Sequence, residues 1–130
     1  MKRRFLIATH STLAEGFTNA LMFFAGDEID VTYINAYIDD KPIDEKINSF
    51  FSTLNDKDEL IVLTDLLAGS VNQNLYKYIS REHTHILTGI NLALALSLVL
   101  ESANDYLTKE RINQLVNSSR ENIVYMNEFQ

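Results

Sequence analysis

Short apolar runs alternate along this chain with longer segments in which apolar residues recur every three or four positions. A short apolar run between polar flanks is typical of a strand buried on both faces, and the longer spacing is typical of an amphipathic helix. Apolar or β-branched runs predict strands at 4–8, 31–36, 60–64 and 85–88. Helical spacing predicts helices at 13–24, 42–54, 70–79, 91–103 and 107–119.

The order of these elements predicts the fold class. Strands that alternate with helices pair in parallel through right-handed crossovers. We therefore expect an α/β fold, a small doubly wound sheet of four parallel strands with helices on both faces, in a single domain over residues 1–130. A last strand-like segment, 122–126, has no helix after it. This segment must add to an edge of the sheet or pair with another chain.

A histidine stands at the end of the first predicted strand, and a carboxylate stands just after the third. In a parallel sheet these strand ends share the edge where ligands bind. We therefore expect Asp65 to meet His10 there, with the start of the Ser70 helix beside them. A histidine at a strand end is by itself more often structural than chemical. The neighbouring carboxylate and helix start favour a chemical role for His10.

These residue types suit phosphoryl transfer. Imidazole is nucleophilic at neutral pH and is also a good leaving group, because its unperturbed pKa is about 6.5. A carboxylate such as Asp65 can accept from one ring nitrogen and orient the ring, and the sequence leaves open which nitrogen attacks. The amides of Gly69 and Ser70 can attract an anion, and the Ser70 hydroxyl can cap the helix. Further hydrogen bonds could come from Thr9 or Ser11, and the chemistry needs no metal and no cofactor.

The composition disfavours several other classes. The net charge of −7 is unsuited to nucleic acid, and the tyrosines are not interleaved with enough basic residues to hold a strand. The absence of cysteine excludes disulfides and thiolate catalysis and fits a cytoplasmic protein. Apolar runs stay well below the roughly 20 residues of a membrane span. His83 and His85 have no apparent third ligand nearby, so we expect them to be ordinary histidines rather than a zinc site.

Three segments carry a resemblance to a known family: residues 7–11 (Ile-Ala-Thr-His-Ser), 65–70 (Asp-Leu-Leu-Ala-Gly-Ser) and 88–92 (Thr-Gly-Ile-Asn-Leu). In order and spacing they resemble the signature segments of the mannose-type IIA component of the bacterial phosphoenolpyruvate-dependent sugar phosphotransferase system. The resemblance implies a phosphotransferase that takes phosphate onto His10 from the histidine-containing phosphocarrier protein and passes it to a IIB component. The membrane IIC and IID components would then complete sugar uptake and phosphorylation. Asp65 would hold the His10 ring, and Ser70 would lie at the phosphate pocket.

The resemblance also implies a homodimer in which a strand within residues 121–130 crosses to the partner's sheet. The chain departs from the family pattern at a few positions. The family usually has Gly at position 68 and Pro at position 71, often has Gly at position 11, and has a Pro near position 93. This chain has Ala68, Val71, Ser11 and Ala93. None of these changes removes a group that does chemistry, but Ala68 could reshape the phosphate loop.

Several alternatives stay open. The phosphoryl-donor subunit of dihydroxyacetone kinase begins with a similar domain, so the chain could serve that enzyme. It could also be a regulatory binding module that reports sugar supply through phosphohistidine. A nucleotide-binding domain or a hydrolase is less favoured, because the sequence has no G-x-G-x-x-G, P-loop or nucleophile elbow. We interpret Asn91 as the cap of the fourth helix, and the sequence does not reveal the sugar.

Overall fold

The computed structural model of the protein describes residues 1–129 and is built around a four-stranded parallel sheet. The strands are β1 (Arg3–His10), β2 (Val31–Ala36), β3 (Glu59–Thr64) and β4 (Thr84–Leu87). They lie in the order β2-β1-β3-β4, and every neighbouring pair is parallel. The sheet predicted from the sequence is confirmed.

The helices follow the predicted alternation, with some differences in length. They are α1 (Leu13–Ala25), α2 (Ile43–Phe51), α3 (Ser70–Leu75), α4 (Leu92–Val99) and α5 (Lys109–Arg120). Helix α3 is shorter than predicted because the chain tightens into a 3-10 turn at Tyr76–Tyr78. Helix α4 ends at Val99 rather than at residue 103. The carbonyl groups of Glu101 and Ser102 accept hydrogen bonds from the Arg3 guanidinium instead of continuing the helix. In residues 1–129, no helix has the length and apolar character needed to cross a membrane.

Both faces of the sheet are covered, as the sequence predicts. Side chains alternate along a strand, so Leu6 and Ala8 of β1 face one side while Phe5 and Ile7 face the other. The first side packs against α2 and α3 through Ile47, Phe50, Val71 and Leu75. The second side packs against α1, α4 and α5 through Leu21, Ala95, Leu98 and Leu115. Each fully buried aliphatic side chain contributes about 1.5–3 kcal/mol, so the ends of β1 and β3 are held by a rigid core.

A buried ion pair fastens the edge where the strands begin. Arg3 Nε donates to a carboxylate oxygen of Glu59, and both side chains are almost fully buried. The other Glu59 oxygen accepts from the Leu107 amide at 2.6 Å, and Arg3 also donates to the carbonyl of Asp105 at 2.9 Å. His85 Nε2 lies 3.9 Å from this carboxylate. The pair therefore anchors the connection between α4 and α5 to the sheet.

The C-terminal segment does not add to the chain's own sheet. Residues 121–129 leave α5 through a turn and form a 3-10 turn at Met126–Glu128, with no strand in this described part. Their apolar side chains are exposed: Ile123, Val124, Tyr125, Met126 and Phe129. Of the two possibilities for the predicted strand 122–126, pairing within the chain is therefore not observed. Exchange with a partner stays a prediction.

Candidate functional site

The ends of β1 and β3 bring His10 and Asp65 together. The two strands are neighbours, with Ala8 opposite Thr64, so His10 and Asp65 both extend past the same edge of the sheet. One Asp65 oxygen, Oδ2, accepts from the His10 backbone N–H at 2.9 Å and lies 3.0 Å from Nδ1 of the ring. The other oxygen, Oδ1, lies 3.2 Å from Nδ1. The carboxylate therefore holds both the backbone and the ring of His10.

The electrostatics of this pair define the state of the ring. Burial raises the pKa of Asp65, but hydrogen bonds from the backbone and ring of His10 outweigh burial and hold this pKa below its ordinary value. Asp65 is thus ionised at neutral pH and can only accept hydrogen bonds, so the Nδ1 that faces it carries the proton. In the neutral ring the free lone pair then lies on Nε2. The His10 side chain is 35% exposed, so a partner can reach it.

Gly69 lies directly against the His10 ring. A Cβ atom built on Gly69 would lie 2.9 Å from Cε1 of His10, closer than real Cβ atoms come. Only glycine lets the ring take this position without a shift. The Gly69 amide donates to the Leu66 carbonyl at 3.3 Å, so it is already engaged within the loop. The contribution of Gly69 is therefore a close approach to the histidine, rather than the free anion-binding amide expected from the sequence.

Ser70 is the first residue of α3, and Gly69 occupies the cap position. The expected capping bond from the Ser70 hydroxyl is absent, because its Oγ is instead hydrogen-bonded to the hydroxyl of Tyr37. As the first helical residue, Ser70 has an amide with no acceptor inside the helix. Ser70 therefore brings an amide and a hydroxyl to the edge that carries His10.

The sequence of the chain matches the model of a known protein family. The EIIA-man family model, described as PTS system fructose IIA component, matches residues 4–117. The chain belongs to this family. It is thus a IIA component of the mannose/fructose family of the phosphotransferase system, whose members act as phosphoryl carriers.

Solved structures agree with this assignment. A protein from Klebsiella pneumoniae subsp. pneumoniae, provisionally named a phosphoenolpyruvate-dependent sugar phosphotransferase system permease, is 32% identical. The match covers 98% of this chain and 93% of that one, with a TM-score of 0.90. A Streptococcus pneumoniae PTS IIA protein associated with a fucose utilization operon is 24% identical over 98% of this chain and 96% of that one, with a TM-score of 0.80. A mannose/sorbose-specific IIA subunit from Enterococcus faecalis is 16% identical over 95% and 94%, with a TM-score of 0.76. These last two show the same fold. No curated protein sequence matches the chain significantly.

Thr9 does not belong to the site of this IIA component, contrary to the sequence prediction. Its side chain is fully buried, and its Oγ1 accepts from the Ala14 amide at 2.6 Å. Because side chains alternate along β1, Thr9 points to the opposite face of the sheet from His10. Its hydroxyl serves the start of α1. Ser11, in contrast, is exposed and directly follows His10.

The departures of this IIA component from the family pattern have simple structural outcomes. Ser11 adopts a φ of 57°, a left-handed conformation that glycine adopts most easily. Its amide donates to the Ala36 carbonyl at 2.9 Å, which helps to hold that conformation. Ala68 is not among the described residues with positive φ. Position 68 therefore does not need glycine in this loop.

Two polar residues of the site were missed by the sequence reasoning. Asn72 accepts from Thr64 Oγ1 at 2.6 Å and donates to the carbonyls of Leu66 and Leu67 and to Thr88 Oγ1 at 2.9–3.0 Å. It thereby ties the loop after β3 to the ends of two strands. Tyr37 follows β2 directly, and its ring centroid lies 5.5 Å from that of His10. Tyr37 directly follows a strand end, as the predicted site residues do, whereas Asn72 lies inside α3 and has no such signal in the sequence.

The remaining candidates of the IIA component lie outside the site. The Asn91 side chain accepts from the Leu94 amide at 2.8 Å, which confirms that it caps α4. His83 stacks on Tyr106, and half-buried His85 faces the Glu59 carboxylate, both away from the edge that carries His10. Within residues 1–129, no group of three or more His, Cys, Asp or Glu side chains is placed to hold a metal ion.

Proposed function

We propose that this IIA component carries a phosphoryl group on Nε2 of His10. It accepts the group from the histidine-containing phosphocarrier protein and passes it to a IIB component. The observation that supports this most strongly is the pairing of Nδ1 with the Asp65 carboxylate at 3.0 and 3.2 Å. The pairing fixes the tautomer that leaves Nε2 as the nucleophile.

The transfer step follows from this geometry. The Nε2 lone pair attacks the phosphorus of the donor's phosphohistidine, and an N–P bond forms as the donor's N–P bond breaks. The donor imidazole keeps the electron pair of the broken bond. Asp65 stabilises the positive charge that develops on the His10 ring. In the onward step a histidine of IIB attacks the phosphorus, a new N–P bond forms as the Nε2–P bond breaks, and His10 keeps the electron pair. Such transfer depends mainly on positioning and charge stabilisation, which a rigid strand end can supply.

Ser70 and Ser11 would form hydrogen bonds to the oxygens of the phosphoryl group on His10. Ser70 directly follows Gly69, which packs against the His10 ring, and Ser11 is exposed next to His10 in sequence. These groups can donate hydrogen bonds to phosphoryl oxygens without a metal ion or a cofactor. From IIB the phosphate would reach a sugar through the membrane IIC and IID components. The IIA component would work on the cytoplasmic side.

The free edge of β4 supports a homodimer. Within residues 1–129, β4 pairs only with β3, so its other edge offers unpaired backbone groups. A groove lies on each side of this edge. One is partly polar and is lined by Leu87, Leu94 and Ile112 together with Asn91, Ser119 and the chain's own Ile123. The other is mostly apolar and is lined by residues that include Leu67, Tyr76, Ile79 and Ile86. A strand formed by 122–126 of a partner chain would place alternate apolar side chains in the two grooves, and we propose this exchange.

The test is phosphorylation of the intact chain by phosphoenolpyruvate, enzyme I and the histidine-containing phosphocarrier protein. Intact mass should show one phosphoryl group on the wild type and on His83→Gln, a histidine control at the opposite edge. His10→Ala should show none while it keeps its thermal unfolding temperature. Phosphate on the His10 variant, or none on the wild type, would refute the proposal.

Adding a recipient then distinguishes the alternatives. Loss of phosphate to a IIB component supports the carrier role in sugar uptake. Transfer to the dihydroxyacetone kinase machinery would assign the chain to that enzyme. A phosphorylated chain that passes phosphate to neither would indicate a regulatory module.

A further inference from the structure

A tyrosine that directly follows β2 contacts both parts of the proposed site. The register of β1 and β2 sets Ala36 opposite His10, so Tyr37 lies at the same edge. The rings of Tyr37 and His10 are 5.5 Å apart between centroids and tilted by 34°. The Tyr37 hydroxyl is hydrogen-bonded to Ser70 Oγ. Tyr37 thus links the ring that would carry the phosphoryl group to the serine that would form a hydrogen bond with it.

The backbone of Tyr37 is held in an uncommon conformation. Its φ is 66°, in the left-handed region that a bulky non-glycine residue rarely adopts. The side chain is 55% exposed, so core burial does not compensate for this strain. The contacts that the strained conformation secures are those to His10 and Ser70. Strained backbone of this kind clusters at functional sites, so it indicates that Tyr37 has a role in this one.

The hydrogen bond between the Tyr37 and Ser70 hydroxyls indicates what that role would be. A serine hydroxyl has one proton to donate and two lone pairs to accept with. If Tyr37 donates to Ser70 Oγ, the single Ser70 proton is free to point at a phosphoryl oxygen. If Ser70 donated to Tyr37 instead, that proton would be lost to the phosphate. The phenolic hydroxyl is the more acidic of the two and is the better donor.

We infer that Tyr37 is a positioning residue, which donates its phenolic proton to Ser70 Oγ and so directs the Ser70 proton to the phosphoryl group on His10. The inference rests on the proposed phosphoryl-carrier function. It predicts that the tyrosine and serine hydroxyls act as one unit. Removal of either hydroxyl should then have the same effect, and removal of both should add little.

The test is a double-mutant cycle of Tyr37→Phe and Ser70→Ala in the full chain. The control is Tyr33→Phe, a change at another exposed tyrosine, on β2. The phosphocarrier protein, phosphorylated by enzyme I and phosphoenolpyruvate, is the donor. Each single variant should accept one phosphoryl group about fivefold more slowly, the equivalent of one neutral hydrogen bond, and the double variant should match the singles. The ³¹P resonance of the phosphohistidine should shift alike in all three, and Tyr33→Phe should match the wild type.

Two outcomes would overturn the inference alone, with the wild type phosphorylated normally. They are wild-type rates in Tyr37→Phe, or losses that multiply to about 25-fold in the double variant, as expected of independent hydrogen bonds. Absence of phosphate from the wild type would instead overturn the proposed function and this inference with it. Thermal unfolding temperatures of the variants separate these effects from misfolding.

Discussion

The His10 ring packs on the backbone of Gly69 so closely that a Cβ atom at residue 69 would lie 2.9 Å from Cε1 of the ring. A methyl group there must move the ring or the loop. Gly69→Ala should therefore turn the ring away from Asp65 and slow phosphoryl acceptance by about tenfold to 100-fold, because small misplacements of a reacting group cost that much. Stopped-flow transfer from the phosphocarrier protein measures the change.

A second glycine provides the control for that prediction. Gly16 lies on the exposed side of α1, and nothing lies within 4 Å of a Cβ built on it. Gly16→Ala should raise the free energy of unfolding by about 0.5–1 kcal/mol and leave the transfer rate unchanged. If Gly69→Ala transferred phosphate as fast as Gly16→Ala, the close packing of ring and backbone would have no role in the reaction.

Replacing Asp65 by asparagine should slow the reaction more severely. An amide can present either an acceptor or a donor to Nδ1, so the tautomer is no longer fixed, and the charge that stabilises the cationic ring is lost. Asp65→Asn should lower the acceptance rate by at least about 100-fold while phosphate, where it forms, still lies on His10. Asp39→Asn, a change at an exposed carboxylate paired with Lys46, is the matched control. An unimpaired Asp65→Asn variant would contradict the proposed role.

The stability of the fold should depend on pH through His85. Burial lowers the pKa of His85, and the nearby Glu59 carboxylate offsets this only in part. The unfolded chain therefore binds the proton more readily than the folded chain. The contribution of His85 to the free energy of unfolding is fully present above the ordinary histidine pKa of about 6.5 and is lost as the pH falls below that value. Urea unfolding between pH 5 and 8 should show this decline.

The histidine itself can be tested within that pH range. His85→Gln should flatten the decline in unfolding free energy below pH 6.5, because it removes the buried group whose pKa is lowered. Equal slopes in His85→Gln and the wild type would assign the pH dependence to other groups.

The proposed strand exchange predicts the mass of the protein in solution. Light scattering should give twice the 14.9 kDa of one chain for the full-length protein. A chain that ends at residue 121 should give the single-chain mass, because the segment that would pair with β4 is gone. A change at another exposed apolar residue, Phe23→Ser on α1, should leave the dimer intact. A full-length protein of single-chain mass would contradict the exchange.

The sequence predicted the strands and the meeting of His10 with Asp65 because both depend on local pattern and on a general property of parallel sheets. Apolar runs define β1 and β3, and neighbouring parallel strands necessarily bring their ends to one edge. It did not predict that Thr9 turns away, although strict alternation along β1 requires the side chain after Ala8 to face α1. The direction of the Thr9 side chain follows from the sequence only once the face of the sheet that His10 occupies is known.

Other features depend on contacts between distant parts of the chain and left no local signal. The Tyr37 hydroxyl reaches Ser70 across 33 positions, and Arg3 ends α4 from 98 positions away. In the sequence Asn72 is an ordinary helical residue, and its hydrogen bonds to the loop after β3 appear only in the folded chain. Long-range hydrogen bonds of this kind decide how the site is held, whereas the local pattern decides only where its residues lie.

We propose above that Nε2 of His10 carries the phosphoryl group while Asp65 holds Nδ1. The most direct measurement is NMR of the phosphorylated chain with ¹⁵N-labelled histidine, in which ³¹P couples to the ring nitrogen that bears it. We expect coupling to Nε2 of His10, with a protonated Nδ1. Coupling to Nδ1, or phosphate on a residue other than His10, would contradict it.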